Sequence, residues 1–186
     1  MGASAPRTTG NPDLPTPLIR TATAADIDTL SALGARTFRQ TYSTISDPGE
    51  VDDYANEHFT RPKIEGWLAT PASVTLLASV DGEPVGYAHV RRAKVPACVA
   101  DREAVELSRL YLLASAQGRG VGAALMGRAL EAVVQLGGRT VWLGVYDRNE
   151  RALAFYDAWG FAQAGTHEFV FGGQVYADPV LARAIG

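Results

Sequence analysis

The chain has 186 residues, 47% of them hydrophobic, a formal net charge of −3 and a single cysteine, Cys98. That length and apolar content predict one core-forming domain without disulfide staples, and the small net charge argues against bulk attraction to nucleic acid or an anionic membrane. With no apolar run of bilayer length and no apolar signal-peptide core at the start, a soluble cytoplasmic protein is expected.

Residues 1–17 hold Pro6, Pro12, Pro15 and Pro17 among Thr, Gly and Ser, too little apolar surface to offset ordering entropy. They read as a loose tail ahead of a single domain over 18–186. Leu18 to Arg20 is a short first strand. Thr21 or Thr23 then caps a helix with Ile27, Leu30, Leu33 and Phe38 at helical spacing, running to about Gln40. Between Gln40 and Thr60 there is no Lys or Arg, yet Asp47, Glu50, Asp52, Asp53 and Glu57 occur with Tyr42, Tyr54 and Phe59 interleaved. The acidity reads either as the solvated side of a helix–loop–helix or as a mouth that attracts a cation, with aromatic faces for an ammonium group.

Ile64, Trp67 and Leu68 predict another helix, ended by Pro71. Val74 to Val80, the turn Asp81-Gly82 and Pro84 to Val90 read as a hairpin, with Val85, Tyr87 and His89 on one face. Cys98 lies in an apolar connection with nothing nearby to activate its thiolate, so it is read as a packing residue. In the strand Val105 to Leu113, Val105 and Leu107 share one face whereas Leu110 and Leu112 share the other. A bulge near Ser108 and Arg109 produces that slip, and so does a strand buried on both faces.

Next comes Gln117-Gly118-Arg119-Gly120-Val121-Gly122 at the start of a helix. Alternate glycines let backbone N–H groups crowd at a helix N-terminus, which is an anion site, and the pattern is neither a Rossmann fingerprint nor a Walker loop. The helix buries Val121, Leu125, Ala129, Ala132, Val133 and Leu136 and closes at Gly137-Gly138. Arg139 to Tyr146 is a strand. Asn149 caps a helix whose Ala152, Phe155, Tyr156 and Trp159 share a face, and Gly160 ends it. Two last strands, 161–171 and 174–181, flank Gly172-Gly173. The plan is mixed α/β with a short parallel centre.

Gln-x-x-Gly-x-Gly at 117–122, followed by Asn149-x-x-Ala152-x-x-Phe155-Tyr156 and Gly160-Phe161, resembles the two C-terminal signatures of the Gcn5-related N-acetyltransferase (GNAT) superfamily. Within it, the run Trp142 to Glu150, the strand Gly165 to Phe169 and the early aromatics Phe38, Tyr42, Tyr54 and Phe59 are similar to the PaiA-type polyamine acetyltransferases. The likeness departs at Asp178-Pro179-Val180, where a proline predicts an edge strand or a bulge.

The resemblance implies the GNAT fold, an α/β (α+β) plan whose mixed, mostly antiparallel sheet has splayed parallel central strands and flanking helices. It implies acetyl-CoA as cosubstrate in the V between Leu107–Leu113 and Val141–Tyr146. Leu110, Tyr111 and Leu112 would face the pantetheine arm, and the N–H groups of Gln117, Gly118, Arg119, Gly120, Val121 and Gly122 the pyrophosphate. Asn149 and Phe155 would meet the pantetheine region, although capping alone also explains Asn149.

An alkyl amine of pKa ~10.4 must lose a proton, and the departing thiolate must gain one. The resemblance makes Tyr156 the acid; an ordinary core tyrosine is the other reading. Glu106 is the candidate base, with a surface ion pair to Arg91, Arg92 or Arg109 as its alternative. His89 is the second candidate. For the acceptor, Tyr42, Asp52, Asp53 and His89 are the expected contacts. The three histidines lack metal-ligand spacing, so no metal is expected. The leading reading is direct acetyl transfer to a primary amine, a polyamine or other small cationic amine, with no nucleic-acid or membrane partner. Homodimerisation is left open. The alternatives are a protein N-terminal or lysine acetyltransferase and a non-catalytic acyl-CoA-binding regulator.

Overall fold

The computed structural model describes residues 16–44, 46–171 and 174–185, so the proline-rich stretch up to Pro15 and the glycine pair at 172–173 lie outside the described residues. Strands β1 (Leu18–Thr21), β2 (Ser73–Val80), β3 (Glu83–Arg91), β4 (Val105–Leu112), β5 (Thr140–Gly144), β6 (Ala162–Phe171) and β7 (Gln174–Ala184) form one seven-stranded sheet in the order β1-β2-β3-β4-β5-β7-β6. Every pairing is antiparallel except β4 with β5. Helices α1 (Ile27–Tyr42), α2 (Pro48–His58) and α3 (Arg61–Ala69) follow β1; α4 (Val121–Gln135) and α5 (Glu150–Ala158) flank β5 in sequence.

Each face of the sheet carries its own core. Leu76, Val90, Val105, Leu107, Val141 and Leu143 pack with Leu125, Met126, Ala129 and Val133 of α4 on one side. Leu77, Tyr87 and Leu113 pack with Leu30, Leu33, Phe38, Val51, Phe59 and Ile64 on the other. Leu125 and Met126 are completely buried, each worth about 1.5–3 kcal/mol of apolar burial, and they hold the start of α4 against β4. Thr23 and Asp26 cap a single 3-10 turn, Ala24–Asp26, so α1 begins later than the sequence suggests and extends to Tyr42. Asp81 and Gly82 both have positive φ, 53° and 83°, as a tight hairpin turn of right-handed strands requires.

Two irregularities decide where side chains point. On β3 the register steps from Ala78↔Gly86 to Ser79↔Pro84, leaving Val85 without a partner residue on β2. Val85 therefore packs with the α4 core while Tyr87 packs under α1, so simple alternation does not put Val85 on the face of Tyr87 and His89. On β4 the register steps from His89↔Arg109 to Val90↔Leu107, and Ser108 is the extra residue. This is the bulge that the phase slip predicts.

Pro179 sits in β7, an interior strand rather than an edge. Its carbonyl accepts from Val145 N–H at 3.1 Å, just past Gly144 where β5 ends, so its missing N–H falls where no strand remains to pair with it.

His89 is 2% exposed, its ring stacked 4.8 Å from Trp67 and its Nδ1 2.9 Å from the Thr75 hydroxyl. Burial, with Arg91 and Arg109 nearby, pushes it down to about 3. A depressed histidine is neutral in the fold, whereas the unfolded chain takes up the proton below pH ~6.5. This contribution to stability is complete above that pH and is lost as pH falls towards 3. Urea unfolding is expected to give about 2 kcal/mol less stability at pH 5 than at pH 7.5 from this group, and His89→Gln is expected to flatten that slope.

Candidate active site

Parallel strands β4 and β5 pair only at Val105↔Val141 and Glu106↔Trp142. Beyond Glu106 the bulge at Ser108 turns β4 away, and the next backbone groups on that side face open space. The gap widens into a cavity of about 1060 Å³. Its walls are Leu107 to Leu112 of β4, the loop at Gln117, Gly118, Gly120 and Gly122, Gly144 and Val145 at the end of β5, Arg148 to Ala152, Phe155 and Tyr156 of α5, and Gln40 to Tyr42 at the end of α1.

The glycine loop is conformationally committed. Gly118 and Gly120 have φ of 72° and 78°, a region that L-residues with side chains adopt at a cost, and no atom lies within 4 Å of where a Cβ would stand. Gly120 is the N-cap of α4, so the N–H groups of its first turn have no helical acceptor and open beside the cavity. Gln117 N–H is used by Ala114 C=O, so the free donors start after it. The Gln117 side chain accepts from Arg151, and its amide nitrogen lies 3.5 Å from Leu112 C=O, which ties loop, α5 and β4 together.

Asn149 Oδ1 accepts from Ala152 N–H at 3.1 Å and caps α5 on the cavity wall. Two turns on, Tyr156 is buried with its ring against Phe155 at 5.6 Å and Phe161 at 5.5 Å. Burial, reinforced by Tyr111, pushes its hydroxyl well above the usual phenol value. It therefore stays protonated at physiological pH. Tyr42 and Tyr111 place their hydroxyls 3.5 Å apart on the same wall, and burial raises both in the same way.

A second hollow of about 640 Å³ adjoins this cavity through Thr44 and Arg148 and is lined by Ser46, Asp47, Glu50, Tyr146 and Tyr176. Tyr146 bridges the two, with its ring 6.0 Å from Tyr42 and 5.8 Å from Tyr176.

The structure brings Leu110, Tyr111, Leu112, Gln117, Gly118, Gly120, Gly122, Asn149, Phe155, Tyr156 and Tyr42 to one cavity. Arg119 and Val121 belong to the same loop but lie off its wall, and Val121 is core. Asp52 and Asp53 do not reach it. Asp52 is held by Arg39 Nε at 2.5 Å on the outer side of α1 and α2, and Asp53 is exposed. His89 is covered by Trp67 and Thr75 and does not face the cleft. Glu106 accepts from Arg91 Nε at 2.6 Å and lies below the cavity, in the ion pair that was its alternative reading. The sequence reading passes over Arg109, Arg148 and Arg151, all on the wall. A signal exists for each: Arg109 is the one cation of β4 and stands at the predicted bulge, and the other two flank the Asn149 cap. Among the described residues no group of three or more His, Cys, Asp or Glu side chains is placed to hold a metal ion, and no helix is long and apolar enough to cross a membrane.

A sheet parted between parallel strands, with a glycine-rich helix start on one side and a buried phenol on the other, defines the frame of an acyl-CoA-using N-acyltransferase. Residues 38–161 match the model of the acetyltransferase (GNAT) family. The chain is 36% identical over 160 residues to an uncharacterized N-acetyltransferase of Mycobacterium tuberculosis, covering 86% of this chain and 98% of that protein. It is 30% identical over 160 residues to one from Lactobacillus delbrueckii subsp. lactis, covering 86% and 92% respectively. The fold is shared with the PaiA N-acetyltransferase of Thermoplasma acidophilum solved with coenzyme A, at a TM-score of 0.73 and 20% identity over 91% of this chain and 99% of that one. The chain belongs to the GNAT acetyltransferase family and is an acetyl-CoA-dependent N-acetyltransferase.

Proposed function

We propose that the protein passes acetyl directly from acetyl-CoA to the primary amine of a small molecule, with no acyl-enzyme. What carries this reading is one continuous cavity joining the glycine loop, the open edge of β4 and Tyr156. In it the loop N–H groups from Gly118 onward hold the pyrophosphate, and the backbone of Leu110 and Leu112 pairs with the pantetheine amides. Asn149 and Phe155 flank the arm. Arg148 and Arg151 add positive charge beside the phosphates.

The amine nitrogen attacks the thioester carbonyl, the carbon–sulfur bond breaks, and the sulfur takes the Tyr156 proton as it leaves. Glu106 is the one carboxylate of β4, but it is paired with Arg91 and lies off the wall. In this reading the amine proton leaves through water at the mouth, and solvent reprotonates Tyr156.

The expectation of a polyamine rests on the acidity of residues 40–60 and on the PaiA-type likeness. Of those acids, Asp47 and Glu50 face the approach beside Tyr146 and Tyr176, and they draw cations to the mouth. The test is thiol release from acetyl-CoA against spermidine, spermine, simple amines, amino acids and a lysine peptide. Amine-dependent release supports transfer. Calorimetric binding of acetyl-CoA with no release over any amine would replace it with a binding role.

A further inference from the structure

The inner wall of the cavity carries a cation that pairs with no carboxylate among the described residues. Arg109 lies just past the Ser108 bulge, on the β4 face that packs towards α1 and α2. Its Nη2 donates to the Tyr54 hydroxyl at 3.1 Å, and its guanidinium carbon sits 5.9 Å and 5.6 Å from the ring centroids of Tyr54 and Phe59. Its Nε is buried and meets no acceptor. The ion pairs among the described residues are made by Arg20, Arg39, Arg61, Arg91, Arg92 and Arg128. Arg109 is absent from them. Phenols and ring faces give a guanidinium dipoles to lean on but no opposite charge, and burying a cation without one is costly.

The surroundings point the same way. Tyr111 and Tyr42, on the same wall, are hydroxyls that burial keeps protonated and able to donate. The charged residues of the wall are Arg109, Arg148, Arg151 and Glu150, and Glu150 stands at the start of α5 rather than at the inner end. A polycation reaching that end would meet Arg109 and no carboxylate.

We propose that the acceptor is an amino acid, a primary amine carrying its own carboxylate, and that this carboxylate seats on Arg109 while the amine faces the thioester. The planar guanidinium matches a carboxylate in both geometry and charge, and the Tyr111 and Tyr42 hydroxyls complete the donor set. The inference rests on reading the cavity as an acetyl-transfer site and adds the class of its second substrate.

The experiment compares matched acceptors on the wild-type protein. L-phenylalanine is set against phenylalaninamide and phenethylamine, and L-lysine against cadaverine, with spermidine alongside; rates are expressed per neutral amine so that the different amine pKa values cancel. The acids are expected to exceed their amides and decarboxylated partners by about 10- to 100-fold in kcat/KM. Arg109→Gln is expected to bring the acids down to the level of the amides, chiefly through KM, with acetyl-CoA affinity and melting temperature as controls of folding. Arg109→Lys is expected to keep part of the preference. Equal or better turnover of amides, decarboxylated amines or spermidine by wild type overturns the proposal, as does an acid preference that survives Arg109→Gln. If no amine releases thiol, acetyl transfer is what has failed, and the anion site is then read by calorimetry with CoA present, using N-acetylphenylalanine against its amide. Acid-selective binding that Arg109→Gln abolishes keeps the site; no selectivity, or no binding of either, removes it.

Discussion

Tyr156→Phe is expected to lower kcat for acetyl transfer by about 100-fold or more while leaving the dissociation constant of acetyl-CoA almost unchanged. The substitution removes one oxygen and little else. Phe keeps the ring between Phe155 and Phe161, so the packing that anchors α5 is retained and the melting temperature should shift little. In the proposed mechanism what disappears is the donor of a proton to the departing sulfur, which acts only as the carbon–sulfur bond breaks, so the loss falls on kcat. Burial that holds the phenol above its ordinary value also means that wild-type activity should show no fall from Tyr156 ionisation up to pH ~10. Steady-state kinetics of both proteins across pH 7 to 10 check the two statements together. Wild-type kcat in Tyr156→Phe would reduce Tyr156 to a packing residue.

Much of the frame is legible in the sequence. The phase slip between Leu107 and Leu110 is accounted for by the Ser108 bulge, whose extra residue returns Leu110 and Leu112 to the α4 face that Leu107 occupies; the pattern alone left burial on both faces as the other reading. Asn149 and the alternate glycines were readable because capping and positive φ are local demands met by few residue types. The acceptor side was not readable in the same way. Asp52 and Asp53 lie next to the acids that do face the mouth, but one helical turn separates Glu50 from Tyr54, and residues between them point elsewhere. Arg39, thirteen positions earlier on α1, takes Asp52, a tertiary contact that no local pattern announces. His89 follows the alternation of its strand correctly, but alternation does not say that Trp67 covers that stretch of the face. Arg109 was passed over because a charged residue in a strand is most often paired at the surface. Only the packing of Tyr54 and Phe59 around it shows otherwise.

Gly120→Val is expected to weaken acetyl-CoA binding by about 10-fold or more with only a modest change in the stability of the fold. At φ 78° and ψ −8° Gly120 holds the left-handed conformation that starts α4. No atom stands within 4 Å of a Cβ built there, so the effect is not a clash. It is backbone strain, about 1–3 kcal/mol for a non-glycine residue in this region and most severe for a β-branched one. The loop is expected to relieve that strain by rotating the peptides on either side, which turns the N–H groups away from the proposed position of the pyrophosphate; a factor of ten in affinity corresponds to about 1.4 kcal/mol. Gly127, in the middle of α4 and likewise with nothing within 4 Å of its Cβ position, supplies the control. There an alanine meets ordinary helical backbone and is expected to stabilise the helix by about 1 kcal/mol without altering the affinity. Calorimetric titration of acetyl-CoA into the two variants separates a glycine needed for the shape of the anion site from one that is dispensable. Equal affinities in both would remove the pyrophosphate from the loop, and with it the proposed polarity of the whole cavity, because in that proposal the glycine loop sets which end of the cosubstrate lies against α4 and which reaches Tyr156.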